Sequence, residues 1–410
     1  MPDRNRRRFL KKTIWGTMGL IGGTRLPFVY GDDTDGSKSG RPNILFAMTD
    51  DWSWPHAGAY GDPVVKTPAF DRVAREGCLF TQAFAAAPQC SPNRAAILTG
   101  RNIWQLEEAG THYSLFPNKF AVYPDLLEDA GYCVGGTGKL WSPGNWQEGG
   151  RARNPVGPEF NNRKMESVPT EGILLPDYAG NFKEFFEKRP KEKPFCFWYG
   201  GHEPHRKYAK GSGLESGKKP EDVQVPPFLP DNAEVRSDFL DYYLEVEWFD
   251  RHLGRMLELL EESGELENTI LVVTGDNGMP FPRAKATLYE YGTHMPLAIC
   301  WPKRVPGGRV IHDLTSSIDF APTFLEAAGL TPPSDMTGRS LLDLLTSDQS
   351  GGVDGTRNEV FTGRERHSHS RPDNIGYPSR AIRTDQYLYI RNFKPDRWPI
   401  GDPEGFHDID

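Results

Sequence analysis

Asn43-Ile44-Leu45-Phe46-Ala47-Met48-Thr49 runs directly into Asp50-Asp51. A short apolar run closed by oxygen-bearing side chains predicts a buried parallel strand with acids at its carboxyl edge. The pattern recurs at Thr269-Ile270-Leu271-Val272-Val273-Thr274, followed by Gly275 and then Asp276-Asn277-Gly278. In open α/β sheets, ligands bind beyond that edge. Brought side by side, the two strand ends offer the carboxylates of Asp50, Asp51 and Asp276 and the amide oxygen of Asn277. Hard oxygen donors of this kind suit Ca²⁺ or Mg²⁺ and not zinc. Either end alone reads better as a turn or a helix cap.

A third stretch shifts that balance. Cys90-Ser91-Pro92-Asn93-Arg94 precedes Ala95-Ala96-Ile97-Leu98-Thr99-Gly100, a helical pattern with Pro92 in its first turn, where proline is tolerated. Cys90 is therefore expected at or just before a helix N-terminus. Free backbone N–H groups and the helix dipole there favour an anion, or a nucleophile of lowered pKa. The alternative is a buried structural cysteine.

Cys90-Ser91-Pro92-Asn93-Arg94 matches the C-x-P-x-R motif of type I sulfatases, the formylglycine-dependent branch of the alkaline-phosphatase-like superfamily. Leu98-Thr99-Gly100-Arg101, Asp50-Asp51 and Asp276-Asn277-Gly278 resemble that family too, in its order, over residues 41 to 345. Asp276-Asn277-Gly278-Met279-Pro280-Phe281-Pro282 and Gly201-His202-Glu203-Pro204-His205-Arg206 are most similar to its heparan N-sulfatase (sulfamidase) branch. The resemblance implies an α/β fold: a large mixed, mainly parallel sheet between helices, with a small C-terminal antiparallel subdomain. It implies that Cys90 becomes formylglycine through a formylglycine-generating enzyme, and that this residue joins Asp50, Asp51, Asp276 and Asn277 around Ca²⁺ or Mg²⁺. Arg94 would hold the nucleophile, Lys139 and Lys285 would grip the sulfate, and His202 would protonate the leaving group.

Composition bounds the answer independently. With 410 residues the chain can bury a large core, and its net charge of -8 argues against a nucleic-acid-binding face. An anionic substrate then requires a local positive pocket. The 5 cysteines show no C-x-x-C spacing and leave at least one unpaired, for which Cys90 is the choice. Cys133, Cys196 and Cys300 lie in apolar, strand-like runs and read as core.

From the start of the chain, Arg6-Arg7-Arg8-Phe9-Leu10-Lys11 and the weakly apolar stretch 13–21 have the pattern of a twin-arginine signal, followed by a polar linker to residue 40. This predicts use of the Tat machinery and a periplasmic or extracellular location. The expected boundaries are 1–40 for signal and linker, 41–358 for the catalytic domain and 359–410 for the C-terminal subdomain. Thr67-Pro68 is expected to cap a helix ending at Gly77, and residues 132–137 form a strand leading to Gly138-Lys139. Residues 194–199 form another strand, delivering Gly200-Gly201-His202 to the same edge. Residues 144–172 and 207–230 read as loops over that edge, and 233–262 as a long covering helix with the acidic run 261–267 as its solvated end. Residues 381–384 and 387–390 look like strands of the small subdomain, and Arg364-Glu365-Arg366-His367-Ser368-His369 is a cationic cluster with possible substrate contacts.

Three departures from the family stand out. Most members carry a histidine shortly after the lysine, credited with helping release the covalent sulfate; here Trp141 and Ser142 stand there, with His205 and His112 as candidate replacements. His294 replaces a common family arginine. The family also usually continues beyond the point where this chain ends, at Asp410. The expected function is sulfate release from a sulfated glycan, N-sulfated by resemblance. The alternatives are an O-sulfatase on glycosaminoglycan or algal polysaccharide, a phosphoester hydrolase, or a non-catalytic protein binding sulfated glycans. The sequence leaves the oligomeric state open.

Overall fold

In the computed structural model, which describes residues 40–369 and 371–397, strand β1 (Asn43–Thr49) is buried at every position. Its alternation sends Ile44, Phe46 and Met48 into one apolar cluster and Leu45 and Ala47 into another, so the strand has a core on both faces. The strands that follow are β2 (Cys78–Phe84), β3 (Ser114–Leu115), β4 (Cys133–Gly138), β5 (Gly144–Asn145), β6 (Phe195–Gly200), β7 (Thr269–Gly275) and β8 (His294–Cys300). After them come β9 (Arg309–Ile311), β10 (Thr315–Ser316), β11 (Glu359–Arg364), β12 (Ser379–Thr384) and β13 (Leu388–Asn392). The main sheet runs β10-β2-β8-β7-β1-β6-β4, with β9 also on β2. Strands β4, β6, β1 and β7 are mutually parallel, whereas β8 is antiparallel to both β7 and β2. The expected mixed, mainly parallel sheet is present, and β11-β12-β13 form the small antiparallel sheet.

Helices cover both faces. In chain order they are α1 (Pro68–Glu76), α2 (Cys90–Thr99), α3 (Tyr123–Asp129), α4 (Tyr178–Lys188), the single turn α5 (Ser212–Glu215) and α6 (Ala233–Glu262). The short α7 (Glu290–Thr293), then α8 (Phe320–Ala327) and α9 (Leu342–Thr346), complete the set. Residues of α2, α3, α8 and α9 join the cluster of Phe46, and residues of α1, α4 and α6 join that of Leu45. The predicted apolar face of α6 is buried at Phe239, Tyr243, Val246, Leu253, Leu257 and Leu260. Each such side chain contributes roughly 1.5–3 kcal/mol by leaving water.

Two local expectations are corrected. Thr67 makes no capping bond to α1; the Asp250 carboxylate, from α6, accepts from the Ala69 and Phe70 amides at 2.9 and 2.8 Å instead. The acidic run 261–267 is not simply a solvated end, because Glu265 accepts from Asn43 at 2.9 Å and pairs with Arg189. Strand β2 escaped the sequence reading because its register shifts between Phe80 and Ala83, which breaks the alternation. The twin-arginine pattern lies outside the described residues. No helix among the described residues is long and apolar enough to cross a membrane.

Candidate active site

Four parallel strands end together. The register pairs Met48 with Gly200, Thr49 with Gly275 and Gly138 with Gly200, so Asp50, Asp276, His202 and Lys139 emerge at one carboxyl edge. Gly138 makes this possible on β4. Its φ is +75°, and a Cβ there would lie 2.0 Å from the Gly200 carbonyl, to which the Lys139 amide donates at 2.8 Å.

Helix α2 faces that edge with its N-terminus, and Cys90 is its first residue. The Asn93 side chain holds the helix there: its Oδ1 accepts from the Ala86 amide at 2.9 Å and from Ser317 Oγ at 2.6 Å, and its Nδ2 donates to the Asp276 carbonyl. Arg94, fully buried, donates from Nε to Asp276 Oδ2 at 2.8 Å and from Nη1 to the carbonyls of Lys139 and Leu140. The Cys90 thiol donates to Asp50 Oδ1 at 3.2 Å. The nucleophile candidate and the two acid-ended strands therefore meet at one point. The expected lowering of the thiol pKa is corrected: burial and the Asp50 carboxylate push the Cys90 thiol up, outweighing the helix N-terminus.

Charge at this point balances. Asp50 pairs with Lys139 and lies 3.7 Å from Arg94; Asp51 pairs with Lys285 at 2.8 Å; Asp276 pairs with Arg94. Burial works to raise Asp50, yet the Lys139, His205 and Arg94 charges hold it well below the usual carboxylate range. Burial pushes Asp276 up to about 7, with the Asp50 carboxylate adding to the rise and Arg94 opposing it. Burial also raises Asp51, against Lys285. Carboxylate oxygens of Asp50, Asp51 and Asp276 all lie within 4.8 Å of one another. Asn277 donates from Nδ2 to Asp51 Oδ1 at 2.6 Å, while its Oδ1 is buried with no hydrogen-bond partner. An acceptor-only oxygen beside crowded carboxylates is a donor set that fits a hard divalent cation.

Residue 90 opens onto a cavity of about 400 Å³ whose walls include Lys139, His205, His112, Tyr113 and His369. A second cavity, of about 230 Å³, shares Lys139 and His205 and is lined by His202, Glu203 and Glu245. Burial and the Lys139 charge push His202 down to about 4. His205 Nδ1 donates to the Arg206 carbonyl at 2.6 Å, so Nε2 is the nitrogen that gains and loses the ring's second proton. Both histidines named as replacements thus reach the cavity over Cys90. Trp141 is buried, packs edge-on against Phe116 and donates to the Ser91 carbonyl at 3.1 Å, so it supports the first turn of α2. His294 is stacked between Trp54 and Phe84 at 4.5 and 4.7 Å and packs away from the cavity.

Of the two expected rim loops, the structure brings Gly172 and Lys207 to the second cavity. The cluster 364–369 contributes more. His369 and Ser368 line the first cavity, and His367 Nδ1 accepts from Gln89, the residue before Cys90, at 2.9 Å. Tyr113, Pro143, Glu203 and Glu245 also line the two cavities and were not anticipated. All but Glu245 sit in aperiodic loops.

Residues 42–330 match the family model described as Sulfatase. The chain belongs to the sulfatase family. Residues 283–406 match a second model, described as N-sulphoglucosamine sulphohydrolase, C-terminal. The chain is 31% identical to an ulvan-active sulfatase of Formosa agariphila, with 87% of this chain and 66% of that protein covered. It is 28% identical to the N-sulphoglucosamine sulphohydrolase of Homo sapiens, with 85% and 73% covered. A solved structure described as in complex with its substrate D-glucosamine-2-N,6-O-disulfate superposes with a TM-score of 0.67 at 22% identity, covering 87% of this chain and 92% of that one. That likeness shows a common fold. Family membership places the chain among sulfate-ester hydrolases.

Proposed function

We propose that this sulfatase is an exported, formylglycine-dependent enzyme that releases sulfate from sulfated glycans, with an N-sulfated glucosamine as the first substrate to test. The observation that carries the reading is the Cys90 thiol at the N-terminus of α2, 3.2 Å from Asp50 and among three buried cations, Arg94, Lys139 and Lys285. Asp50, Asp51, Asp276, Asn277 and residue 90 would hold Ca²⁺ or Mg²⁺, which supplies charge neutralisation and Lewis-acid polarisation of a sulfate oxygen. Oxidation of Cys90 to formylglycine supplies a hydrated aldehyde: one hydroxyl as nucleophile, a second to expel the sulfate.

The remaining work belongs to the chain's own side chains. Arg94 ties α2 to Asp276 and keeps residue 90 aimed at the cavity. Lys139 and Lys285 neutralise the sulfate oxygens; each now pairs with a carboxylate, so binding exchanges one anion for another without exposing a bare charge. His202 is neutral at rest because it is buried beside Lys139. A sulfate on Lys139 offsets that ammonium and raises the affinity of His202 for the proton it passes to the leaving nitrogen or oxygen. With Trp141 engaged in packing, His205 is the base for sulfate release, through Nε2.

The match at residues 283–406 and the 28% identity to the human N-sulphoglucosamine sulphohydrolase support N-sulfate as substrate. The 31% identity to an ulvan-active sulfatase supports the second reading, an O-sulfatase on a polysaccharide. Sulfate release from N-sulfoglucosamine and from 6-O-sulfated N-acetylglucosamine, assayed in parallel, separates them. Turnover of the O-sulfate alone would remove the N-sulfatase reading. Export rests on Arg6-Arg7, and their replacement by lysines should retain the protein in the cytoplasm of its host. Residues 41–358 would then form the catalytic domain and 359–410 the small C-terminal subdomain, from which Ser368 and His369 reach the cavity.

A further inference from the structure

Tyr113 combines three features that core packing does not explain. The residue is 53% exposed although it lines the cavity over residue 90. Its backbone has φ +56°, the left-handed region, which is an outlier for a bulky aromatic residue. Strain of this kind persists where the surroundings over-determine it, and it clusters at ligand clamps.

The surroundings here are specific. Arg366 donates from one guanidinium nitrogen to the carbonyls of His112 and Tyr113, at 2.6 and 3.1 Å. His369 Nε2 approaches the Tyr113 carbonyl at 3.3 Å, and the rings of His112 and His369 meet the Tyr113 ring edge-to-face at 5.2 and 5.7 Å. His112 is itself stacked on His367 at 4.6 Å, and His367 is tied to Gln89, next to Cys90. The C-terminal segment thus pins an exposed phenol ring at the mouth of the cavity, in register with the nucleophile.

An aromatic face held beside a cavity of about 400 Å³, whose lining mixes apolar surface with Lys139, His205, Ser368 and His369, suits a ring with one apolar face and a hydroxyl-bearing rim. A pyranose has that form: its axial C–H groups pack on the aromatic face while its hydroxyls remain available to His369, Ser368 and water. We propose that Tyr113 is the stacking platform of a sugar subsite that receives the pyranose ring carrying the sulfate. The clamp from Arg366 and His369 makes it a positioning element for substrate, built by the C-terminal segment. This inference rests on the sulfated-glycan reading and goes beyond it by naming the surface that reads the sugar.

The test uses full-length protein carrying formylglycine and three variants, Tyr113→Phe, Tyr113→Leu and Tyr113→Ala, with kcat and KM measured on the sulfated saccharide it turns over. Phe keeps the face, Leu keeps apolar bulk without it, and Ala removes both. A stacking contact predicts a KM about tenfold higher for Ala and Leu, with kcat within about twofold, and near-normal constants for Phe. Unchanged KM in Tyr113→Ala, or equal losses in Phe and Ala, would overturn the proposal. Calorimetric binding of a sulfated disaccharide reads the same contrast in Kd without turnover. A wild-type protein that binds the disaccharide through Tyr113 but releases no sulfate would sink the catalytic reading and leave this one standing.

Discussion

The two walls of the cavity are built in opposite ways. One is the carboxyl edge of β4, β6, β1 and β7, where Lys139, His202, Asp50 and Asp276 are set by the register of parallel strands. The other is made of the loop at His112 and Tyr113 and the segment 364–369, joined by Arg366, His367 and His369 through side-chain bonds. The first wall carries the charges that would act on a sulfate group. The second carries aromatic and hydroxyl groups that would meet the rest of the molecule. Chemistry and selectivity are therefore separable, and substitutions on the two walls should produce different kinetic signatures.

The largest effect belongs to the sheet edge. Cys90→Ala leaves no residue to convert and should abolish sulfate release while the melting temperature stays close to wild type; retained turnover would refute the nucleophile assignment. Asp276→Asn removes a carboxylate that anchors Arg94 and faces the amide of Asp51 at 3.0 Å. Loss of such electrostatic organisation costs on the order of 10²–10³ in kcat. Calcium affinity by calorimetry should fall with it, and a variant that loses activity but not affinity would place the cation elsewhere.

On the selectivity wall, Arg366→Ala releases the carbonyls of His112 and Tyr113 and should raise KM for the saccharide by roughly tenfold or less, with kcat little changed. An equal fall in kcat would mean that the two walls are not independent.

A smaller effect sharpens the comparison from outside the cavity. His252 is buried in α6, with burial and the Arg255 charge pushing it down to about 3. Its folded pKa lies below the unfolded value, so its contribution to stability is present above pH ~6.5 and is lost as pH falls toward 3. Denaturant titrations should show that loss, on the order of a few kcal/mol, and His252→Gln should flatten the slope. An unchanged slope would locate the acid sensitivity in other groups.

The same division explains what was legible in the sequence. β1 and β7 announce themselves because a strand buried on both faces must be apolar throughout, so the break at Asp50 or Asp276 is visible in one dimension. Cys90 was legible through Pro92 and the helical run behind it. Lys139 and His202 followed from strands that end just before them. Tyr113 and the Gln89–His367 bond were not, because the contacts that place them join positions more than 250 residues apart through loops with no periodicity. Glu245 lay hidden for another reason: it belongs to a helix whose pattern accounts for its acids as solvent-facing, yet it is buried at the second cavity. Asp250 capping α1 is a similar long-range substitution for the local cap that Thr67 promised.

The chemical state of residue 90 decides the mechanism. Mass analysis of the peptide containing it, from protein made in its own host and shown to release sulfate, should find the aldehyde or its hydrate. An unaltered thiol in the active protein would contradict the mechanism, however well the surrounding charges are arranged.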